Sequence, residues 1–161
     1  MEHRHPERAK GFDYLGFHRY LLTFCTHQRA PVFTSTASVE LVLGQISRAA
    51  NEERLAILAY CFMPDHLHLL IKGECEGSDC SAFIKRAKQY SGFYYSKTYG
   101  RKLWQRYGHD HVLRDGERTG DVIRYILENP VKAGLCTRAD EYPFAGVPVE
   151  SSCSWTPKEP C

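Results

Sequence analysis

The chain contains no apolar run near the roughly 20 residues that a membrane-spanning helix requires. Its first ten residues, MEHRHPERAK, are polar and mixed in charge, unlike the basic-then-apolar pattern of a signal peptide. No Walker-type phosphate loop and no dinucleotide-binding glycine motif is present. The cysteines number seven, and Cys25 and Cys61 lie in apolar segments, so a secreted disulfide framework is disfavoured. The 161 residues therefore predict one soluble domain with no membrane partner, located in the cytoplasm.

Acidic residues are absent between Cys80 and His109, although the whole chain has a net charge of only +2. Cations and aromatic rings alternate in this stretch. The cations are Lys85, Arg86, Lys88, Lys97, Arg101, Lys102 and Arg106, and the rings include Tyr90, Tyr94, Tyr95, Trp104 and Tyr107. Because cations neutralise phosphates and rings stack on unpaired bases, the stretch predicts a surface for single-stranded nucleic acid. A solvated basic helix face over core aromatics is the alternative.

The apolar pattern predicts the order strand, helix, strand, strand, helix, strand, helix. Strands are expected at 17–26, 55–63, 66–72 and 109–114, with a turn at Pro64–Asp65. Helices are expected after residue 38, around 83–94 and from about residue 120, the last ending at Asn129–Pro130. This order predicts an α+β, ferredoxin-like sandwich, a mostly antiparallel sheet with helices packed on one face. Residues 1–14 are expected to form a flexible arm, 15–145 the domain and 146–161 an irregular tail.

Two histidines flank one leucine in His66–Leu67–His68. On a strand, successive side chains alternate between the two faces, so both imidazoles point the same way and can reach one divalent ion. Paired histidines that merely decorate an exposed strand are the alternative for this motif alone. Neutral imidazole also suits zinc.

A tyrosine and an amide lie about sixty residues later, in the last predicted helix. Ile123, Ile126 and Leu127 form its apolar stripe, and Tyr125 points well away from the centre of that stripe. Asn129 follows one turn later on the same side, so a phenol and an amide oxygen can be presented together. The amide oxygen could complete the ligand set of an ion beside the histidines. A surface tyrosine and a helix-ending asparagine are the alternative.

Other tyrosines and histidines compete with this assignment. Tyr90 and Tyr94 share a helical stripe with Phe83 and Ala87, which favours packing, whereas Tyr95 stays open as a rival nucleophile. His109 and His111 could contact phosphate, act as an acid or base, or only fill strand positions.

The combined motifs resemble the HUH (histidine–hydrophobic–histidine) single-tyrosine transposases, the IS200-like and REP-associated enzymes. His66–Leu67–His68 is similar to the motif itself, and Tyr125 with Asn129 is similar to the tyrosine and amide of the late helix. The segments Leu103–Arg106, His111–Arg114 and Tyr125–Leu135 resemble the REP-associated branch in order and spacing. The resemblance covers roughly residues 15–145.

The resemblance implies a metal-dependent enzyme that nicks and rejoins single-stranded DNA through a 5′-phosphotyrosine intermediate, at palindromic hairpins. It implies Tyr125 as the nucleophile, a metal site at His66, His68 and Asn129, and Mg²⁺ or Mn²⁺ in preference to Zn²⁺. The DNA-binding residues expected are Lys85, Arg86, Lys88, Arg101, Lys102, Trp104, Arg106 and Arg114. A non-catalytic protein that binds structured single strands is the alternative, and a two-histidine phosphoesterase ranks last because His109–Asp110–His111 lacks a hydroxyl. The protein could be a monomer or a homodimer.

Overall fold

The computed structural model describes residues 11–148, which form one five-stranded antiparallel sheet and three α-helices. In chain order the elements are β1 (Arg19–Cys25), α1 (Thr36–Glu52), β2 (Leu55–Met63), β3 (His66–Gly73), α2 (Cys80–Tyr99), β4 (His109–Val112), α3 (Thr119–Lys132) and β5 (Ala145–Gly146). The strand order is β4-β1-β3-β2-β5. No helix among these residues is long and apolar enough to cross a membrane.

The first four strands and first two helices form the β-α-β-β-α-β unit of ferredoxin-like proteins, so the predicted α+β class is confirmed. Both helices have capped starts, since Ser35 accepts a hydrogen bond from the backbone of Ser38 and Asp79 accepts one from Ala82. They cover one face of the sheet over a core whose fully buried members include Leu22, Phe24, Ile46, Phe62, Leu67, Leu69 and Phe83. Each such side chain contributes about 1.5–3 kcal/mol by leaving water.

The third helix differs from the expectation that helices lie on one face. Ile126 of α3 packs with Ala59, Cys61, Met63 and Leu70, which form a second, smaller cluster. These strand residues alternate with those of the main core, so α3 covers the opposite face of the sheet. Strand β3 is therefore buried on both faces. Its apolar pattern alone does not predict which face a given helix covers.

Helix α3 also continues past the point where the sequence predicts its end. Pro130 lies inside the helix, which runs on to Lys132. Proline cannot donate the hydrogen bond that the carbonyl of Ile126 would receive. The side-chain amide of Asn129 compensates by donating to the carbonyl oxygens of Tyr125 (2.8 Å) and Ile126 (3.5 Å).

The domain begins and ends slightly outside the predicted limits. Tyr14, expected in the arm, is buried and its hydroxyl donates to Asp110 at 2.6 Å. Gly146, expected in the tail, pairs with Tyr60 in the sheet. Residues 1–10 and 149–161, which contain most of the predicted arm and tail, lie outside the described residues.

Candidate active site

The two histidines of the motif face each other on the side of the sheet that α3 covers. They follow a two-residue turn between β2 and β3, which fixes the pairing of Met63 with His66. Their Nε2 atoms are 3.2 Å apart. Two ligand nitrogens about 2.1 Å from one ion are about 3.0 Å apart at a right angle and about 3.4 Å at the tetrahedral angle. The observed separation lies between these limits, so the pair fits a shared cation.

Both imidazoles are held from behind by polar side chains. Nδ1 of His66 is 2.7 Å from Oδ1 of Asp65, and Nδ1 of His68 is 3.0 Å from the hydroxyl of Thr23 on β1. Such contacts orient metal-binding histidines, and the carboxylate of Asp65, which only accepts, also fixes which ring nitrogen of His66 keeps its lone pair. The ligand side of each ring is thereby directed at the other.

His68 is the more deeply buried of the pair, with 8% of its surface exposed. Burial, and next the nearby charges of His66 and Arg29, lower the pKa of His68 to about 4. This imidazole is therefore neutral at pH 7 and keeps a lone pair for an ion. No cluster of three or more His, Cys, Asp and Glu side chains able to hold a metal occurs within residues 11–148.

Tyr125 lies beside this histidine pair. Its ring centroid is 6.2 Å from that of His68, with the rings inclined at 65°. The side chain is 45% exposed, as the helical pattern predicts, because Val122, Ile123 and Ile126 supply the buried side of α3. The ammonium of Lys132 lies 5.1 Å from the centroid of the same ring. The phenol thus combines solvent access with proximity to the histidines.

Asn129 stands one turn after Tyr125 on the same helix. Its amide nitrogen faces two backbone carbonyl oxygens, which require a donor and so orient the amide. The amide oxygen is directed away from those carbonyls. The predicted role of Asn129 as a metal ligand stays a prediction.

The rival tyrosines occupy other places. Tyr95 is 2% exposed and its ring packs against Tyr99 at 4.6 Å, and burial raises its pKa. Tyr90 packs against the main core and its hydroxyl donates to Glu52 at 2.7 Å. The expectation that Tyr94 packs in the same stripe is wrong, because the buried stripe continues from Ala87 through Ser91 to Tyr95 and leaves Tyr94 exposed.

Several predicted DNA-binding cations line a groove of about 630 Å³ between the first turns of α2 and the segment 106–110. Lys85, Lys88 and Arg106 lie there together with Tyr107 and His109. The groove also contains Leu22 and Phe24, so it opens on the face of the sheet opposite the histidine pair. Strand β4 forms the sheet edge between the two sites.

Other members of the predicted DNA-binding set are placed differently. The guanidinium of Arg86 is bonded to the carboxylates of Glu52 (3.0 Å) and Glu53 (2.5 Å). Trp104 is 5% exposed and donates to Ser91, so its ring is a core element and has no surface on which a base could stack. Arg101, Lys102 and Arg114 are exposed outside the groove.

Sequence reasoning missed three residues near the histidines: Thr23, Arg29 and Asp65. Asp65 could have been found from its position directly before His66, and Thr23 from its polarity within an apolar strand. Arg29 carries no local signal, because its contact with Asp65 at 2.9 Å joins segments 36 residues apart.

The structure thus combines an antiparallel ferredoxin-like sheet, a histidine pair on one of its faces and a tyrosine helix docked beside that pair. The chain superposes on the structure of a REP-associated tyrosine transposase bound to a REP hairpin with a TM-score of 0.71, at 19% identity over 86% of this chain and 82% of that one. A crystal structure of a provisionally assigned transposase from Deinococcus radiodurans R1 gives 0.51, at 23% identity over 76% of this chain and 96% of that one. These likenesses establish the fold.

The family follows from the sequence. The model of the family "Transposase IS200 like" matches residues 17–129, so the chain belongs to the IS200-like transposases. A curated Haemophilus influenzae protein, provisionally named a REP-associated tyrosine transposase, is 27% identical over 110 residues. That alignment covers 55% of this chain and 56% of the relative, so the chain spans little more than half of that relative's length. An uncharacterized protein of the same organism is 21% identical over 81% of this chain and 90% of its own length.

Proposed function

We propose that the protein is a metal-dependent endonuclease and ligase of single-stranded DNA, with Tyr125 as its nucleophile. One observation carries the proposal: an exposed phenol lies 6.2 Å, ring to ring, from a histidine whose Nε2 faces that of a second histidine. Phenol and imidazoles can then contact the same phosphate group. The structural neighbour bound to a REP hairpin supports a palindromic hairpin as the substrate, and a DNA substrate is consistent with the expected cytoplasmic location.

The reaction exchanges one phosphoester for another. The phenolic oxygen of Tyr125 attacks the scissile phosphorus and loses its proton, the bond to the 3′ oxygen breaks, and that oxygen takes up a proton. The 5′ phosphate stays on the tyrosine. Because an ester bond is kept, a second 3′-hydroxyl can reverse the attack and rejoin the DNA without a nucleotide cofactor.

His66, His68 and Asn129 are the residues that would hold the cation. A bound divalent ion withdraws charge from phosphoryl oxygens and stabilises the leaving oxygen. We propose Mg²⁺ or Mn²⁺, as the resemblance to the single-tyrosine transposases implies: an amide oxygen and waters are ligands that these ions accept, whereas the two imidazoles also suit Zn²⁺. Lys132, 5.1 Å from the Tyr125 ring centroid, would favour negative charge on the attacking oxygen.

The groove supports a path for the DNA strand. Lys85, Lys88 and Arg106 would neutralise phosphates on one face of the sheet, and the strand would pass around β4 to reach Tyr125 on the other. The exposed ring of Tyr107 could stack on an unpaired base. Arg86 and Trp104, committed to Glu52 and to the core, are not part of this path.

Covalent capture tests the chemistry. A pool of single strands, each with a palindromic hairpin between randomised flanks, is incubated with protein and Mg²⁺ or Mn²⁺ and resolved under denaturing conditions. A label at the 3′ end should migrate with the protein, while a label at the 5′ end should appear on a released fragment. Tyr125→Phe keeps the ring and should lose the adduct while it retains DNA binding.

Tyr94→Phe is the matched control, since Tyr94 is also an exposed helical tyrosine, and it should form the adduct normally. Chelator, or His66→Ala with His68→Ala, should abolish the adduct. Cleavage that persists in the histidine double variant would refute the metal role. Binding without any adduct in Mg²⁺ or Mn²⁺ would instead establish a non-catalytic binding protein.

A further inference from the structure

A row of polar contacts leads away from the histidine pair to the turn that follows β1. Oδ1 of Asp65 is 2.7 Å from Nδ1 of His66, and Oδ2 of the same carboxylate accepts from Nε of Arg29 at 2.9 Å. A second nitrogen of Arg29 contacts the sulfur of Cys25 at 2.8 Å. Cys25 is the cross-strand partner of His66, so the contacts lead from His66 through Asp65 and Arg29 back to the strand position opposite His66.

The backbone that carries Arg29 is strained. Gln28 and Arg29 both have positive φ, at 54° and 55°, although neither is glycine. Such a conformation costs on the order of 1–3 kcal/mol for each residue and persists only where the surroundings enforce it. Here the backbone N–H groups of Arg29 and Ala30 donate back to Thr26 and His27. The turn thus directs the guanidinium at Asp65.

The backbone of Asp65 is held as firmly as its side chain. The N–H of Thr26 donates to the carbonyl of Asp65 at 3.0 Å, and the N–H of Phe33 donates to that of Pro64 at 3.1 Å. Thr26 is fully buried. The hairpin turn and the segment after β1 therefore form one rigid unit behind His66.

We propose that Arg29 and Asp65 act as positioning residues that set the tautomer of His66. A carboxylate only accepts hydrogen bonds, so Oδ1 requires a proton on Nδ1 of His66. Nε2 of His66 then carries the lone pair and points at His68. The guanidinium only donates, so it fixes the orientation of the group at position 65. The use of this tautomer to bind an ion rests on the proposed function, whereas the tautomer itself does not.

Asp65→Asn tests whether the carboxylate sets the tautomer of His66, because an amide has one accepting and one donating side. Arg29 would retain the amide oxygen, and the NH₂ group would face Nδ1 of His66. Nδ1 must then be unprotonated, and the ring proton moves to Nε2, the atom that faces His68. We expect the neutral ring of His66 to change tautomer and Mn²⁺ affinity to fall about 10- to 100-fold.

A second change should reverse the first. With Arg29→Met added to Asp65→Asn, the amide can rotate and present its oxygen to a protonated Nδ1. We expect the original tautomer and most of the Mn²⁺ affinity to return. Arg29→Met alone should leave the tautomer unchanged, since the carboxylate of Asp65 still accepts. Asp121→Asn is the matched control, an aspartate that also lies near an arginine, Arg124, but on α3, and it should change neither measurement.

The readouts are the ring ¹⁵N shifts of metal-free protein, in which protonated and unprotonated nitrogens are well separated, and Mn²⁺ binding followed by the EPR signal of the free ion. His66→Gln assigns the resonance, and backbone amide spectra confirm that each variant is folded. A wild-type protein with the proton on Nε2 of His66 overturns the proposal without any variant.

An unchanged His66 tautomer and an unchanged Mn²⁺ affinity in Asp65→Asn would also overturn the proposal. If Asp65→Asn changes both and the double variant does not restore them, the proposed role of Arg29 is refuted. Failure of the covalent adduct assay would contradict the proposed function but leave these spectra unaffected. The two failures are therefore distinguishable.

Discussion

The hydroxyl of Thr23 lies 3.0 Å from Nδ1 of His68, across the pairing of β1 with β3. A hydroxyl both donates and accepts, so Thr23 can satisfy either neutral tautomer of this buried ring. The partner of His68 can adapt, whereas the carboxylate partner of His66 imposes one state. The neighbouring side chain therefore fixes the tautomer of His66 but leaves both neutral tautomers open to His68.

Replacement of Thr23 tests this support. Thr23→Val keeps the shape and removes the hydroxyl, which leaves Nδ1 of the buried His68 without that partner. We expect Mn²⁺ affinity to fall about 10-fold, at the low end of the effect of such supporting contacts. Thr23→Ser keeps the hydroxyl and should bind Mn²⁺ like the wild type. Equal affinity of the Val and Ser variants, measured by Mn²⁺ EPR titration, would contradict the prediction.

Two roles of Asn129 can be tested separately: its side-chain amide donates to helix carbonyls, and its amide oxygen is a candidate metal ligand. Asn129→Asp keeps an oxygen and loses the donor, while Asn129→Ala loses both. If the oxygen binds the ion, Mn²⁺ affinity should fall in Asn129→Ala and be kept or raised in Asn129→Asp. Calorimetric titration with Mn²⁺ measures this. Equal affinity in both variants and the wild type would restrict Asn129 to supporting the helix around Pro130.

The attachment of α3 depends on Ile126, which is fully buried against the sheet. Ile126→Ala should cost about 2–5 kcal/mol of unfolding free energy, measured in urea. Adduct formation should also fall, because the neighbouring Tyr125 loses its fixed position, and Mn²⁺ affinity should weaken toward what His66 and His68 supply without Asn129, which lies on the same helix. Leu127→Ala, at a half-buried position outside this cluster, is the control with a smaller cost. Equal costs for the two variants would show that Ile126 does not anchor the helix.

Salt dependence tests the groove. Each phosphate neutralised on a single strand contributes about −0.7 to the slope of log affinity against log salt, so about five contacts give a slope near −3.5. Lys85→Ala with Arg106→Ala should reduce the slope on a hairpin oligonucleotide by about 1.4. Arg86→Ala should leave it unchanged, because Arg86 is bonded to Glu52 and Glu53. An unchanged slope in the groove variant would refute the proposed path.

The local patterns of the sequence predict the elements well. Strand β2 has the expected limits, and the turn at Pro64–Asp65 and the exposure of Tyr125 follow from alternation and helical period. These features depend on neighbours within a few residues. The same patterns place both histidines on one face of β3.

What the sequence could not predict depends on contacts between distant segments. The face covered by α3 is undetermined because β3 is apolar on both sides. The pairing of Arg86 with Glu52 of α1 and the burial of Trp104 among Phe24, Phe33 and Ser91 depend on contacts that form only in the folded chain. The helix continues past Pro130, where the side-chain amide of Asn129 donates to the carbonyls of Tyr125 and Ile126.

The sheet separates the main core beneath α1 and α2 from the histidine site on the face that α3 covers, because each face buries its own cluster. Substitutions among the side chains beneath α1 and α2 reach the histidines only through the strand backbone. The core side chains on that side can therefore change without altering the chemistry on the other. Identities of only 19% to 27% to the relatives and structures that it resembles are the kind of divergence that this division permits.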